Sequence, residues 1–310
     1  MLKQYMANNK KVGKFGIKYL DEKLGGILLS DFVLIGARSG AGKTTISNMI
    51  ASANRNIGVK VTLFSLENFE GDCYLEKAYY KYIKLMGLSI IDLPMREFVS
   101  GSIEFNEEAL KHATNYAYKC YDGINIINRQ KKYGIDQLKD DIIKAVETNG
   151  SELIIIDHLD YVSKYSNENE NAHVTELMRT LREVQDSFKV AIVAISHLRK
   201  SVGNTKTPLI IPSLEEFIGS SNKYKEATAV IMLAPDDAGN MQAVEQNNSQ
   251  RYTWACIRKL RFGGYSSTAA NMVFDLSTGQ YKSDYALYKV DYLGIKAEPV
   301  ANKSIYKTTK

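Results

Sequence analysis

The run Phe32-Val33-Leu34-Ile35-Gly36-Ala37-Arg38-Ser39-Gly40-Ala41-Gly42-Lys43-Thr44-Thr45 leaves this chain few choices of fold. A short apolar, β-branched stretch turns through closely spaced glycines into a segment with helical spacing from Ile46 to Ala53, the strand–loop–helix order of a P-loop. Gly40 and Gly42 let backbone N–H groups close on a phosphate with no Cβ in the way. Lys43 would reach the β- and γ-phosphates, and the Thr44 hydroxyl would hold a magnesium ion. The phosphate cradle is then Ala37, Ser39, Gly40, Ala41, Gly42, Lys43, Thr44 and Thr45, with Ala37 standing where the pattern usually has Gly. The cofactors this implies are ATP and Mg2+.

A P-loop of this kind predicts an α/β fold with a mostly parallel central sheet flanked by helices. In such a sheet, ligands sit at the carboxyl ends of the strands, so the residues that close each strand carry the information. Lys60 to Glu67 reads as a strand with a carboxylate at its end. Glu67 fits a general base that orients the attacking water, or alternatively an acid at a helix N-terminus. Leu153-Ile154-Ile155-Ile156-Asp157 is an apolar strand ending in an acid, and Asp157 would support the magnesium ion. Val190 to His197 is a third such strand. His197, at the same end of the sheet, fits a γ-phosphate sensor or a structural histidine.

The rest of the chain supplies cover. Helices are predicted over 16–26 (short, closed by a Gly pair), 69–87, 106–121, 134–146 and 174–188, with a short strand at 124–127. Tyr74, Tyr79, Tyr80 and Tyr82 are read as packing. Residues 198–208 form a basic loop in which Arg199, Lys200 and Lys206 could contact a phosphate backbone or simply be solvated. Strands follow at 229–233, 252–257 and 271–276, and the polar stretch Asp236 to Gln250 reads as a disordered surface insertion. Arg258, Lys259 and Arg261 lie just beyond a strand and are expected to be exposed until something anionic arrives.

Forty basic against 35 acidic residues give a net charge of +5, which permits a nucleic-acid partner without requiring one. Cys73, Cys120 and Cys256 have no metal-ligand spacing and read as reduced thiols. No apolar run approaches a membrane span and the first residues lack a signal-peptide core, so a soluble, cytoplasmic protein without a membrane partner is expected.

Taken together, Ala-Arg-Ser-Gly-Ala-Gly-Lys-Thr, Phe-Ser-Leu-Glu, Leu-Ile-Ile-Ile-Asp-His-Leu, Ala-Ile-Ser-His-Leu and Arg-Lys-Leu-Arg-Phe-Gly-Gly resemble the RecA-like motor domain of DnaB-type hexameric replicative helicases. The spacings are 24 residues from Lys43 to Glu67, 90 to Asp157 and 40 to His197. The resemblance covers about residues 14–283. It implies that Lys43 and Thr44 bind ATP with magnesium, that Glu67 is the catalytic carboxylate, that Asp157 supports the metal and that His197 is the polar sensor. It further implies that Lys259 and Arg261 reach the γ-phosphate of a neighbouring subunit, and that the loops after Asp157 and His197, including Arg199, Lys200 and Lys206, grip single-stranded DNA in a homohexamer. A bacterial or phage-infected cell is the setting it suggests.

The family usually carries a separate N-terminal domain and linker helix, for which this chain has no room. Ring assembly is then expected to depend on nucleotide, DNA or a partner protein. Two other functions stay open: a RecA- or KaiC-like DNA-stimulated ATPase, or a helicase-associated loader module without unwinding of its own. The expected organisation is an N-terminal arm (1–13), the ATPase domain (14–283) and a tail (284–310). In the tail Lys282, Lys289, Lys296, Lys303 and Lys310 recur every seven residues, with Asp284, Asp291 and Glu298 in step. Gly294 and Pro299 argue against a coiled coil, which leaves a flexible or extended partner-binding tail or a chance periodicity.

Overall fold

Leu153 to Asp157 shows why a core forms here: all five residues are buried. Leu153 and Ile155 pack toward one helical layer, while Ile154 and Ile156 pack toward the other. A strand apolar at every position needs cover on both faces, which only a sheet between two layers supplies.

The computed structural model describes residues 3, 6, 9–68, 71–128, 133–162, 169–199, 210–217, 223–246, 248–261, 263, 267–291 and 297–300. Its strands are β1 (Lys11–Gly13), β2 (Ile27–Leu28), β3 (Phe32–Ala37), β4 (Val61–Ser65), β5 (Asn125–Asn128), β6 (Leu153–Asp157), β7 (Ala191–His197), β8 (Ala229–Pro235), β9 (Gln250–Leu260), β10 (Thr268–Asp275), β11 (Gln280–Val290) and β12 (Ala297–Pro299). Among the described residues, β1 and β2 form a small antiparallel pair and the others one ten-stranded sheet in the order β12-β11-β10-β9-β8-β3-β7-β6-β4-β5. From β5 to β8 the pairing is parallel; from β8 to β12 it is antiparallel.

One face is covered by helices Lys43–Arg55 and Glu107–Tyr121, which contribute Ile46, Ile50 and Tyr121 to the core. Helices Ile135–Asn149 and Glu170–Phe188 cover the other with Leu138, Ile142, Leu177 and Leu181. The tyrosines of helix Asp72–Met86 pack: Tyr79 and Tyr82 join Phe98 in a satellite core. Asn106 caps its helix by accepting the Ala109 amide at 2.9 Å, a contact that contributes about 1 kcal/mol.

Two expectations are corrected. The stretch after Asp236 is ordered, because its polar residues are caps and bridges. Helix Asp237–Glu245 starts where the Asp236 carboxylate accepts the Gly239 amide at 3.2 Å, and Asn240 exchanges two hydrogen bonds with the Tyr252 backbone at 2.7 and 3.1 Å. The tail is in part sheet: β11 crosses residue 283 and pairs with β10, and β12 pairs with β11. In a strand, side chains alternate faces, and the pairing of β11 shifts register between Tyr281 and Tyr285, so a seven-residue spacing from Lys282 to Lys289 sets up no single stripe. Lys296, Lys303 and Lys310 lie outside the described residues.

Candidate active site

The loop after β3 is shaped by two left-handed glycines, Gly40 at φ 79° and Gly42 at φ 78°, a conformation in which a side chain would be strained. A Cβ placed on Gly40 meets nothing within 4 Å, so open space lies over the loop. The Arg38 amide donates to the Leu233 carbonyl at 3.1 Å, and the Ala41 amide donates to the Arg38 carbonyl at 3.1 Å, closing the turn. Ala41 is buried beneath it while Ser39 and Gly40 are exposed. Helix Lys43–Arg55 begins here, so its amino-terminal dipole and free amides face that space, an arrangement suited to an anion. Thr45 turns away and donates to Glu76 at 3.2 Å.

The Thr44 hydroxyl lies near enough to Asp157 to favour its charged form. Ser47 Oγ donates to Asp157 Oδ2 at 3.0 Å, whereas Asp157 Oδ1 is buried with no hydrogen-bond partner. Burial raises the Asp157 pKa against the Thr44 hydroxyl and the nearby His158. A hydroxyl and a carboxylate with one oxygen unsatisfied are the hard oxygen ligands that magnesium prefers. These residues therefore fit a magnesium ion.

Sheet register brings the other strand ends alongside. Ser65 lies opposite Asp157, and Ala37 opposite His197. Glu67, two residues past β4, donates its amide to the Asp157 carbonyl at 3.3 Å and keeps 34% of its side chain exposed. Glu67 Oε2 lies 3.3 Å from His158 Nε2. The His158 and His197 rings meet edge to face at 4.1 Å. Burial, then the neighbouring His158 and the Lys43 ammonium, lower the His197 pKa, which favours a neutral ring. Lys43, Thr44, Glu67, Asp157 and His197 thus share one edge of the sheet.

Two residues of the site, His158 and Asp160, had no role assigned from the sequence. Asp160 is a hub: it meets His158 Nδ1 at 3.1 Å and accepts from Lys223 Nζ at 2.8 Å, the His197 amide at 2.7 Å and Ser196 Oγ at 3.3 Å. Burial pushes its pKa up, but the His158 hydrogen bond and the Lys223 ammonium prevail and hold it well below the usual carboxylate range. Asp160 is therefore a weak base. The only sequence signal was an acid and a histidine just past a strand end; Lys223, 2% exposed, gave none.

A second unforeseen contact braces the P-loop. Glu216 takes Arg38 in two hydrogen bonds, 3.0 and 2.9 Å, and also accepts the Ser213 amide at 3.0 Å. Its carbonyl accepts the Arg199 amide at 2.7 Å, and its neighbour Phe217 bridges to Leu198. Gly36 makes room for this: a Cβ there would lie 2.6 Å from Phe217 and 2.9 Å from Leu198. Arg199 itself is exposed. Lys200 and Lys206 lie outside the described residues.

The basic cluster of β9 needs correction, because Arg258 and Lys259 lie within the strand and only Arg261 lies just beyond it. Arg258 is buried and donates to the Pro212 carbonyl at 3.4 Å; Lys259 donates to the Tyr224 and Lys225 carbonyls, each at 2.8 Å. Arg261 alone of the three is exposed. Its amide donates to the Thr228 carbonyl, and the Thr228 amide donates to the Phe32 carbonyl at the start of β3. Arg261 therefore sits at the opposite edge of the sheet from the P-loop. Thr228 and Leu233 are five residues apart on a strand, so the two edges are separated by about 17 Å.

A parallel sheet of this order with a P-loop at the end of a central strand and an acid closing a second strand defines a RecA-like P-loop nucleotide-binding domain. Residues 14–283 match the DnaB-like helicase C terminal domain, and the chain belongs to that family. It is 22% identical over 249 residues to the replicative DNA helicase DnaB of Mycoplasma pneumoniae, covering 76% of this chain and 50% of that protein. The chain spans about half the length of the curated relatives it matches. Among solved structures it resembles the ATPase domain of G40P with a TM-score of 0.71 at 18% identity, over 90% of this chain and 94% of that one. A KaiC-like protein, PH0186 of Pyrococcus horikoshii OT3, follows at a TM-score of 0.55 and 15% identity, over 90% and 99% of the two chains. Membership implies a nucleotide-dependent activity. Among the described residues no helix is long and apolar enough to cross a membrane, and the three cysteines are free thiols.

Proposed function

We propose that this chain is the motor of a replicative DNA helicase, hydrolysing ATP with magnesium at the interfaces of a homohexamer and moving along single-stranded DNA in the cytoplasm of a bacterial or phage-infected cell. One observation carries the reading: Lys43, Thr44, Glu67, Asp157 and His197 gather at one edge of the sheet while Arg261 stands exposed at the other. Magnesium, held by Thr44 and Asp157, would supply charge neutralisation for the transferring phosphoryl group. Lys43 and the loop amides hold the phosphates. Glu67, the exposed carboxylate beside them, accepts the proton of the attacking water, and neutral His197 hydrogen-bonds the γ-phosphate. A guanidinium 17 Å or so from its own P-loop can serve only a neighbour's nucleotide, with Lys259 shaping the strand end that presents it. Arg199, with Lys200 and Lys206, would hold the DNA backbone.

Subunit mixing tests the shared site. Lys43→Ala should lose nucleotide binding and keep its finger, while Arg261→Ala should bind nucleotide without hydrolysing it. Mixed in equal amounts in a cyclic ring, about a quarter of the interfaces pair an intact P-loop with an intact Arg261, and single-stranded-DNA-dependent hydrolysis should partly return. Normal hydrolysis by Arg261→Ala alone would overturn the assignment.

A further inference from the structure

The arrangement around His158 is unfinished in a way that the hydrolytic reading does not use. His158 is 2% exposed, and its Nδ1 is engaged by the Asp160 carboxylate at 3.1 Å. That contact fixes the orientation of the ring and leaves Nε2 on the side of Glu67. Nε2 is buried and makes no hydrogen bond, although Glu67 Oε2 lies only 3.3 Å away. A buried ring nitrogen without a hydrogen bond beside a carboxylate oxygen is a pair of ligand atoms that one metal ion could share.

The third side of the space is His197. One donor atom from each of Glu67, His158 and His197 can be chosen so that all lie within 4.8 Å of one another. Tetrahedral zinc with bonds of about 2.0–2.2 Å holds neighbouring ligand atoms roughly 3.4 Å apart. The Glu67–His158 pair already has that separation, and half-buried His197 must close by about an ångström. Two imidazoles and one carboxylate suit a borderline transition ion, whereas magnesium prefers the all-oxygen set of Thr44 and Asp157. Asp160 in turn supplies the outer carboxylate that orients a metal-bound histidine, and is itself fixed by Lys223.

We propose that Glu67, His158 and His197 form a binding site for a single transition-metal ion of the zinc type, distinct from the magnesium site. Occupation ties up the Glu67 carboxylate, so zinc blocks hydrolysis by withdrawing the base while nucleotide can still enter the P-loop. The binding claim stands by itself; the inhibitory claim rests on the role of Glu67 proposed above.

Cobalt(II) reports on the first claim directly. Titrated into the full chain without nucleotide, it should develop visible d–d absorption that saturates at one equivalent. Thiolate charge-transfer bands should be absent, which excludes the cysteines as ligands. Zinc should abolish the signal by displacement. His197→Gln, at a half-buried position, should lose saturable binding while far-ultraviolet circular dichroism shows the fold intact. Asp160→Asn should weaken binding about 10–100-fold. In parallel, micromolar zinc should suppress hydrolysis by the unmodified chain, and about 10–100-fold more zinc should be needed for the same suppression in Asp160→Asn. Absence of stoichiometric cobalt binding, or binding unchanged in His197→Gln, overturns the site. Cobalt binding as described with hydrolysis insensitive to zinc keeps the site and removes Glu67 as the base.

Discussion

The two halves of the central sheet obey different rules. In the parallel half, β3, β4, β6, β7 and β8 are buried at nearly every position, and site residues lie at or just beyond the ends of four of them. In the antiparallel half burial thins outward: β9 is buried through its middle, β10 alternates buried and half-buried positions over most of its length, and β11 is mostly exposed. A strand covered on both faces cannot vary without cost, so side chains with chemistry are confined to its ends. A strand with one free face can place charge anywhere along it, as β11 does with Lys282, Asp284 and Lys289, whereas in the basic cluster of β9 only Arg261 is exposed.

That contrast can be broken or sharpened by substitution, beginning with the largest effect. Glu67→Gln keeps shape and hydrogen bonding at a strand end but cannot take a proton. Turnover should fall by about 10²–10⁴ while nucleotide binding persists, measured by steady-state hydrolysis beside fluorescent-nucleotide titration; full turnover would move the base elsewhere. Ile155→Ala, fully buried in β6, should cost about 2–5 kcal/mol in urea unfolding. Glu216→Ala strands Arg38 at the P-loop and should cost about 3 kcal/mol by the same measurement, with weaker nucleotide binding. In the antiparallel half, Asp236→Ala removes a cap and should cost about 1 kcal/mol. Exposed Lys282→Ala should stay within about 0.5 kcal/mol. If the last two matched Ile155→Ala, the division between the halves would fail.

The same contrast explains what could be read in advance. Leu153 to Asp157 and Ala191 to His197 are legible because an unbroken apolar run ending in a polar residue has one good explanation next to a P-loop. β11 was not, since Lys282, Ser283 and Asp284 resemble a tail when the apolar partners that recruit them, Tyr281, Tyr285 and Leu287, are spaced by strand and bulge rather than by any simple period. Helix Asp237–Glu245 was hidden because its order comes from Asn240 and Asp236 meeting Tyr252 and Asn271, contacts across the sequence. The strand ends that gather the candidate residues were legible, and the braces behind them were not. Lys223 on Asp160 and Glu216 on Arg38 arrive from more than 60 and more than 170 residues away, distances over which local pattern says nothing.

The separation of Arg261 from the P-loop by the length of a strand gives the molecule a front and a back. If Arg261 serves a neighbour's site as proposed, copies joined front to back in an open row of n have n − 1 complete junctions and a closed circle has n. Closure thus adds one working junction without adding a subunit. The proportional gain is greatest for small assemblies, and a single nick in the circle silences a single junction rather than the whole.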